Sequence, residues 1–328
     1  MRYDDQDRES SNVEDRRGQG GGGMFGGGGG GGGFQIPTGG RGGFSLTTML
    51  IIGGLMLLFG FNPLDLITGG GGSADMGRVP QMPRVDDGRQ TQAGRNPFEI
   101  PGLPGGGQGQ PQGAGQDELG RFTRRVLADT EDVWKRAFKS AGQAYKEPTL
   151  VMFTGSTRTA CGQGLAQMGP FYCPIDQKVY IDLAFYEELR RRFKAPGDFA
   201  QAYVIAHEVG HHVQTLLGVA DKVQEMKESH PREQNAIQVR MELQADCLAG
   251  VWANLNDQLH KRLQPGDIES GLNAASQIGD DMIQRQTQGR VVPESFTHGS
   301  SAQRVKWFKT GFDSGNMQVC DTFRANPL

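Results

Sequence analysis

The spacing of apolar and polar residues divides the chain into an irregular N-terminal part and a regular C-terminal part. Large apolar residues recur every three to four positions over residues 117–145, which predicts an amphipathic helix. Two short runs, 150–153 and 178–183, are rich in apolar and β-branched residues and predict strands. Further helices are predicted over 198–218, over about 232–259 and after Pro265. The predicted fold class is α+β, mostly helical with a small sheet, over residues 117–328.

Glycine dominates much of the chain before this domain. The sequence holds 51 glycines in 328 residues, most of them before residue 120. Charged residues in 1–20 and glycine runs in 20–43 cannot bury a core, so we predict that residues 1–43 form a disordered cytoplasmic tail. Residues 67–116 are rich in Gly, Pro and Gln and are predicted to be a flexible linker.

An uncharged apolar stretch separates the tail from the linker. Residues 44–61 are just long enough to span a bilayer as a helix, and a single transmembrane helix is predicted over 44–66. A buried core helix is the alternative, but the flanking glycine-rich segments offer nothing to pack against. The leader of more than forty residues is long for a cleaved signal peptide. Arg16, Arg17 and Arg41 precede the stretch, which predicts a cytoplasmic N-terminus and an extracytoplasmic, periplasmic domain.

All four cysteines lie in the predicted exterior domain. An even number of cysteines there is typical of a compartment in which disulfides form. Three pairings are possible, and we favour Cys161 with Cys173, which closes a short loop, and Cys247 with Cys320, which ties the C-terminal tail to a helix. A cysteine zinc site is the weaker alternative, because no Cys-x-x-Cys pair occurs.

The segment His207-Glu208-Val209-Gly210-His211 provides the clearest candidate chemistry. On a helix, His207 and His211 project from nearly the same face and can bring two imidazoles to one metal ion. Glu208 is rotated to the edge of such a site, where it can take a proton from an attacking water without being a ligand. His212 points away and is interpreted as a polar neighbour. The alternative is an ordinary buried helix that carries histidines.

A second predicted helix offers the third ligand. Glu242 and Asp246 are four residues apart and share a helix face. Glu242 can complete a three-ligand metal site, and Asp246 can accept the second ring N–H of a ligand histidine. A solvated acidic face is the alternative. Mostly apolar neighbours from Ala245 to Trp252 favour an inward face, where two carboxylates need a cation.

These motifs resemble those of a family of bacterial membrane-associated proteins described as putative neutral zinc metallopeptidases. The resemblance is carried by residues 207–212 and 242–246, by Cys161-Gly and Gly-Pro-Phe-Tyr-Cys-Pro upstream, and by Phe-Thr-His-Gly-Ser-Ser-x-Gln-Arg-Val downstream. It covers residues 121–323. More broadly, the chain is similar to the gluzincins, in which glutamate is the third zinc ligand. The resemblance implies a zincin-like fold and one Zn²⁺ per chain.

The resemblance also implies roles for two further parts of the chain. A downstream histidine of gluzincins donates to the oxyanion, and His298 is the candidate here, with a capping or structural role as the alternative. Arg304 is expected to form a nearby salt bridge or to orient the site. The strand over residues 178–183 resembles the zincin edge strand to which a peptide substrate adds; an interior strand without a substrate role is the alternative.

These observations predict a membrane-anchored zinc peptidase that acts on a peptide or protein. Zn²⁺ held by His207, His211 and Glu242 would activate a water, with Glu208 as the general base. A metalloendopeptidase is the most direct interpretation. The alternative is a membrane-tethered zinc protein that binds a partner without turnover. The net charge of −3 argues against a nucleic-acid binder, which would present a basic surface.

Overall fold

The computed structural model describes residues 1–18 and 113–328, with side chains from residue 117 onward in the second part. The predicted transmembrane helix, nearly all of the linker and the glycine runs lie outside the described residues. Within those two described ranges, no helix combines the length and the apolar character that a bilayer span requires.

The described chain is mostly helical with a small sheet, which confirms the predicted α+β class. We number the elements in chain order. The strands are β1 (Val13–Asp15), β2 (Thr149–Phe153), β3 (Ser156–Thr159), β4 (Gly162–Leu165), β5 (Phe171–Cys173) and β6 (Lys178–Asp182). The α-helices are α1 (Gly113–Ser140), α2 (Ala184–Arg191), α3 (Asp198–Leu216), α4 (Val219–Ser229), α5 (Gln234–His260), α6 (Asp267–Gln277), α7 (Asp280–Gln288) and α8 (Ser301–Ser314).

Four of the strands form one sheet in the order β1-β2-β6-β5. β1 and β6 both run parallel to β2, and β5 runs antiparallel to β6. β3 and β4 form a separate antiparallel hairpin. The prediction that residues 178–183 form the edge strand is therefore wrong, because β5 covers the N-terminal half of β6 and is itself the edge.

Helices α3, α5 and α8 form the centre of the core. Phe199 of α3 packs against Trp252 of α5 and Phe308 of α8, and all three side chains are fully buried. A Cβ at Gly250 would overlap the backbone of Phe308, so α5 and α8 touch backbone to backbone at this crossing.

Both favoured disulfides are present. Cys247 of α5 is bonded to Cys320, which fastens the C-terminal tail beside the α5–α8 crossing. The bond from Cys161 to Cys173 joins the β3–β4 hairpin to the edge strand β5.

One predicted helix is two helices. The sequence predicts one helix after Pro265, but α6 ends at Gln277 and α7 begins at Asp280. A Cβ at Gly279 would lie 2.7 Å from the Cα of Ser301, so this glycine lets the break pack closely against the start of α8. The break has a functional consequence, because it places Asp280 at the first position of a new helix.

The first 18 residues are packed on the domain, so the prediction of a disordered tail over 1–43 is wrong for this part. Val13 to Asp15 pair in register with Leu150 to Met152 of β2. The buried Glu131 carboxylate accepts hydrogen bonds from Arg8 Nη1 at 2.7 Å, Ser10 Oγ at 2.5 Å and Asn12 Nδ2 at 2.9 Å. Composition suggested disorder because the segment carries few apolar residues, but buried partners on α1 satisfy its polar groups.

Tyr3 attaches residues 1–18 to the domain at a second position. Its hydroxyl donates to Asp129 Oδ2 at 2.9 Å, and the guanidinium of Arg262, 4.6 Å from the Tyr3 ring centroid, also bonds Asp129. These contacts hold the start of the chain against α1 and the segment that follows α5.

We expect the neighbours Ser10 and Ser11 to respond differently to substitution. Ser10→Ala removes a donor from the buried Glu131 carboxylate and should lower the free energy of unfolding by about 1–2 kcal/mol. Ser11 is exposed, so Ser11→Ala should change the free energy of unfolding by less than about 0.5 kcal/mol. Urea unfolding of the full chain measures both, and equal effects would contradict the packing of the N-terminal segment.

Candidate metal centre

Helix α3 crosses the middle of the core and presents two imidazoles on one face. His207 and His211 are one turn apart, with ring centroids separated by 4.8 Å. His207 is buried, and the side chain of His211 is 12% exposed. Their spacing of four residues produces this juxtaposition, as the sequence predicts.

Helix α5 brings Glu242 to the same place. Glu242 Oε2 lies 3.2 Å from His207 Nε2 and 3.4 Å from His211 Nε2. Gly210 lets the two helices approach, since a Cβ there would lie 3.1 Å from the carbonyl oxygen of Ala245. The potential ligand atoms of all three residues lie within 4.8 Å of one another.

This donor set fits a tetrahedral zinc ion. Ligand atoms about 2.0–2.1 Å from such an ion are separated by roughly 3.3–3.4 Å, close to the two distances between nitrogen and oxygen found here. Hydrogen-bond partners at both Nδ1 atoms favour tautomers in which each Nε2 carries a lone pair. Two nitrogen lone pairs and one carboxylate oxygen that converge in this way suit a metal cation between them.

Asp246 organises the His207 side of the site. Its Oδ1 accepts from His207 Nδ1 at 2.9 Å and from Tyr203 Oη at 2.5 Å. Arg304 donates from Nε to Oδ2 at 2.8 Å and from Nη2 to Oδ1 at 2.9 Å. Burial raises the pKa of Asp246, but Arg304 and His207 more than offset it, and the pKa falls to about 2. Asp246 is therefore a buried anion that fixes the His207 ring.

The charges around His207 favour a cation at this position. Burial lowers the pKa of His207, but the Asp246 carboxylate and the hydrogen bond to Glu242 raise it to about 10 in the metal-free chain. The same carboxylates that hold a proton on this ring would hold a metal ion between the ligands.

Gln214 orients the other histidine and was missed by the sequence analysis. Its Oε1 lies 2.8 Å from His211 Nδ1, while its Nε2 donates to the carbonyl of Met241 and to Gln244 Oε1. Gln214 follows His211 by three residues, and Tyr203 precedes His207 by four. Both spacings place a neighbour on the ligand face of α3, so helical periodicity could have revealed them.

His212 faces away from the pair, as predicted. Its Nε2 bonds the carbonyl of Lys146 at 2.6 Å and its Nδ1 bonds Tyr172 Oη at 3.0 Å. Burial lowers the pKa of His212 to about 4, so the ring is neutral at pH 7. It fastens α3 to β5 and to the segment before β2.

Glu208 lies at the edge of the histidine pair and lines the adjoining cleft. Among the described residues, no side chain or backbone group makes a hydrogen bond to its carboxylate. Burial raises the pKa of Glu208, so its carboxylate accepts a proton more readily than an exposed glutamate does.

His298 lies across the cleft, in the loop before α8. Asp280 Oδ2 accepts the backbone N–H groups of Thr297, His298 and Gly299 at 2.6–3.0 Å, and its Oδ1 lies 3.3 Å from His298 Nδ1. Burial lowers the pKa of His298, but Asp280 more than offsets it, so the pKa is raised. The contact orients the ring, and among the described residues no hydrogen-bond partner is found for its Nε2. No spacing in the sequence links positions 280 and 298.

The cleft beside these residues has a volume of about 680 Å³ and is lined mainly by apolar side chains. Strand β5 and the residues before it form one wall, which ends at Ile175, a side chain that is 71% exposed. Other apolar lining residues are Met168, Pro170, Phe171, Phe185, Phe193, Val204 and Val223.

Comparison with known families agrees with this donor set. The profile of the family described as "Putative neutral zinc metallopeptidase" matches residues 1–99 and 104–323. This chain belongs to that family. Membership implies zinc as the metal and peptide-bond hydrolysis as the class of reaction.

Similar proteins occur in Escherichia coli and in Mycobacterium tuberculosis. The Escherichia coli K12 protein named "Uncharacterized protein YpfJ" is 46% identical over 317 residues, which is 96% of each chain. The Mycobacterium tuberculosis H37Rv protein named "Uncharacterized protein Rv2575" is 41% identical over 225 residues, covering 64% of this chain and 74% of its own. No solved structure gives a significant match.

We expect Gln214→Met to weaken zinc binding by about 10- to 100-fold, because His211 loses the partner that fixes its ring. Gln258→Met, at an exposed position of α5, is the matched control and should leave the affinity unchanged. Competition with a chromophoric chelator measures both dissociation constants. Wild-type affinity in Gln214→Met would show that Gln214 does not position His211.

Proposed function

We propose that this protein is a zinc-dependent metallopeptidase of the gluzincin type. The observation that carries the proposal is the convergence of His207, His211 and Glu242, with Glu208 at the edge of the cleft and outside the ligand group. Three protein ligands leave one coordination position open, as in catalytic zinc sites, whereas structural sites are closed by four protein ligands.

When bound, zinc would supply Lewis-acid polarisation of the substrate carbonyl and a lowered pKa for the attacking water. Glu208 then accepts the proton of that water and delivers it to the leaving amine. Burial raises the pKa of Glu208, which favours its part as the proton acceptor. Asp246 and Gln214 hold the two rings in place throughout.

His298 would stabilise the negative charge that develops on the carbonyl oxygen. Asp280 favours the protonated ring and orients it, so Nε2 can donate across the cleft. Its side chain is 26% exposed, which leaves room for a substrate to approach.

An extended peptide fits the shape and chemistry of the cleft. The free edge of β5 offers backbone groups to an added strand, in place of the β6 edge that the sequence suggested. The apolar lining would receive large apolar side chains of the substrate. Strand addition binds a substrate through its backbone and needs no free chain end, so we propose an endopeptidase.

Substitutions at the two catalytic positions should separate turnover from metal binding. Glu208→Gln should abolish cleavage of casein, because it removes the group that transfers the proton. His298→Gln should lower kcat about 100-fold, because it removes a donor that is needed only during the reaction. Both variants should keep about one zinc per chain by elemental analysis. His230→Gln, at an exposed histidine, is the control and should match wild type.

Two outcomes would contradict the proposal. Loss of zinc in Glu208→Gln would make this residue structural. Full zinc content without cleavage by any form would favour a metal-containing binding protein that performs no turnover.

We further propose that the described part of the chain works outside the cytoplasm. The two disulfides support an oxidising compartment. Membrane attachment through residues 44–66 remains a proposal from the sequence. Because residues 1–18 pack on the domain, we propose that both lie on one side of any membrane, which replaces the single-pass topology that the sequence predicts.

Thiol labelling in spheroplasts tests this arrangement. Ser11→Cys and Lys222→Cys each place one reactive thiol at an exposed position, while the four native cysteines are bonded. A membrane-impermeant maleimide should label both variants equally before lysis. Labelling of position 222 alone would contradict the proposal that residues 1–18 and the domain lie on the same side of the membrane. Labelling of neither position would contradict the extracytoplasmic location.

A further inference from the structure

Helix α4 lies against the cleft and contributes a lysine to it. Ala220, Val223, Gln224 and Lys227 follow the spacing of one helix face and all line the cleft. Lys227 is only 5% exposed, although most lysines lie in solvent. The mechanism above makes no use of this side chain.

A single acceptor holds the buried ammonium group. Lys227 Nζ donates to Gln238 Oε1, and Gln238 Nε2 donates to Glu242 Oε1 at 2.6 Å. The Gln238 side chain therefore links Lys227 to Glu242, the proposed metal ligand. Among the described residues, no other hydrogen-bond acceptor and no carboxylate in ion-pair contact is found for Nζ, so two of its three N–H groups are available.

Arg304, the arginine that lines the cleft, is already engaged. It bonds both oxygens of Asp246, the hydroxyl of Tyr203 and the carbonyl of Ile278. Of the lysine and arginine side chains that line the cleft in the described part of the chain, Lys227 is thus the one that has donors to spare. Burial lowers the pKa of Lys227, and the nearby Glu242 carboxylate opposes this shift by favouring the charged form.

We propose that Lys227 is a specificity residue that binds a carboxylate of the substrate beside the metal centre. A carboxylate would accept the available N–H groups and neutralise a charge that is costly to bury alone. The carboxylate can belong to an Asp or Glu side chain near the scissile bond, or to the C-terminus of a peptide, which would make the enzyme a carboxypeptidase instead of an endopeptidase. The inference rests on the proposed peptidase function and names a feature of its substrates.

Inhibitor binding tests this role without requiring turnover. The probes are hydroxamates with one shared apolar side chain that end in a carboxylate or in a carboxamide. Zinc-loaded full-length wild type should bind the carboxylate form about tenfold more tightly or better in calorimetric titration. Lys227→Met should bind both forms equally, while Lys227→Arg should keep the preference.

Lys222→Met is the matched control, because Lys222 lies on the same helix with an exposed side chain. It should bind like wild type. A third probe, with a terminal carboxamide and an aspartate side chain, separates the two sources: tighter binding than the plain carboxamide indicates a side-chain carboxylate, and its absence a C-terminal one.

Three results would overturn the assignment. The first is equal affinity of wild type for all three probes, and the second is a preference that survives in Lys227→Met. The third is no binding of any hydroxamate, which would also reject an accessible metal centre. Cleavage by wild type and Glu208→Gln tests the peptidase function separately, so failure of the two proposals can be distinguished.

Discussion

The close approach of α3 and α5 is the constraint on which the site depends. Gly210, inside the histidine motif, meets the backbone of Ala245, and a Cβ at position 210 would lie 3.1 Å from the Ala245 carbonyl oxygen, closer than most such contacts. Glu242 lies one turn before the contact and reaches both histidines only because the helices touch there. Replacing this glycine would therefore damage the metal centre through packing, without changing any ligand.

Buried charge is balanced around this contact by a small number of groups. Asp246 of α5 is fully buried, and its charge is compensated by Arg304 of α8 and His207 of α3. Arg304 therefore fixes the His207 ring through Asp246. A buried ion that loses its partner is costly, which makes this network sensitive to the removal of any one member. The α5–α8 crossing at Gly250 and the disulfide at Cys247 hold the three helices in the arrangement that the network requires.

Helical periodicity explains what the sequence could predict about the site. His207 and His211, and likewise Glu242 and Asp246, meet because residues four apart share a face, and this rule needs no tertiary information. Helical periodicity does not predict contacts between segments that are far apart in the sequence. The bond between Asp280 and His298, the link from Lys227 to Glu242 through Gln238 and the edge position of β5 all depend on how elements pack. The pairing of residues 1–18 escaped detection for a related reason, since composition describes a segment by itself and ignores the partners that it finds.

The docking of the first 18 residues also bears on what counts as the folding unit. These residues are made first, yet Asp129, Glu131 and Arg262, which receive them, follow more than a hundred positions later. A fragment beginning at residue 117 would carry Asp129 and Glu131 without these partners and would leave one side of β2 unpaired. An exposed strand edge of this kind is a template for association with other chains. Such a fragment would therefore be prone to aggregate even with every proposed metal ligand present.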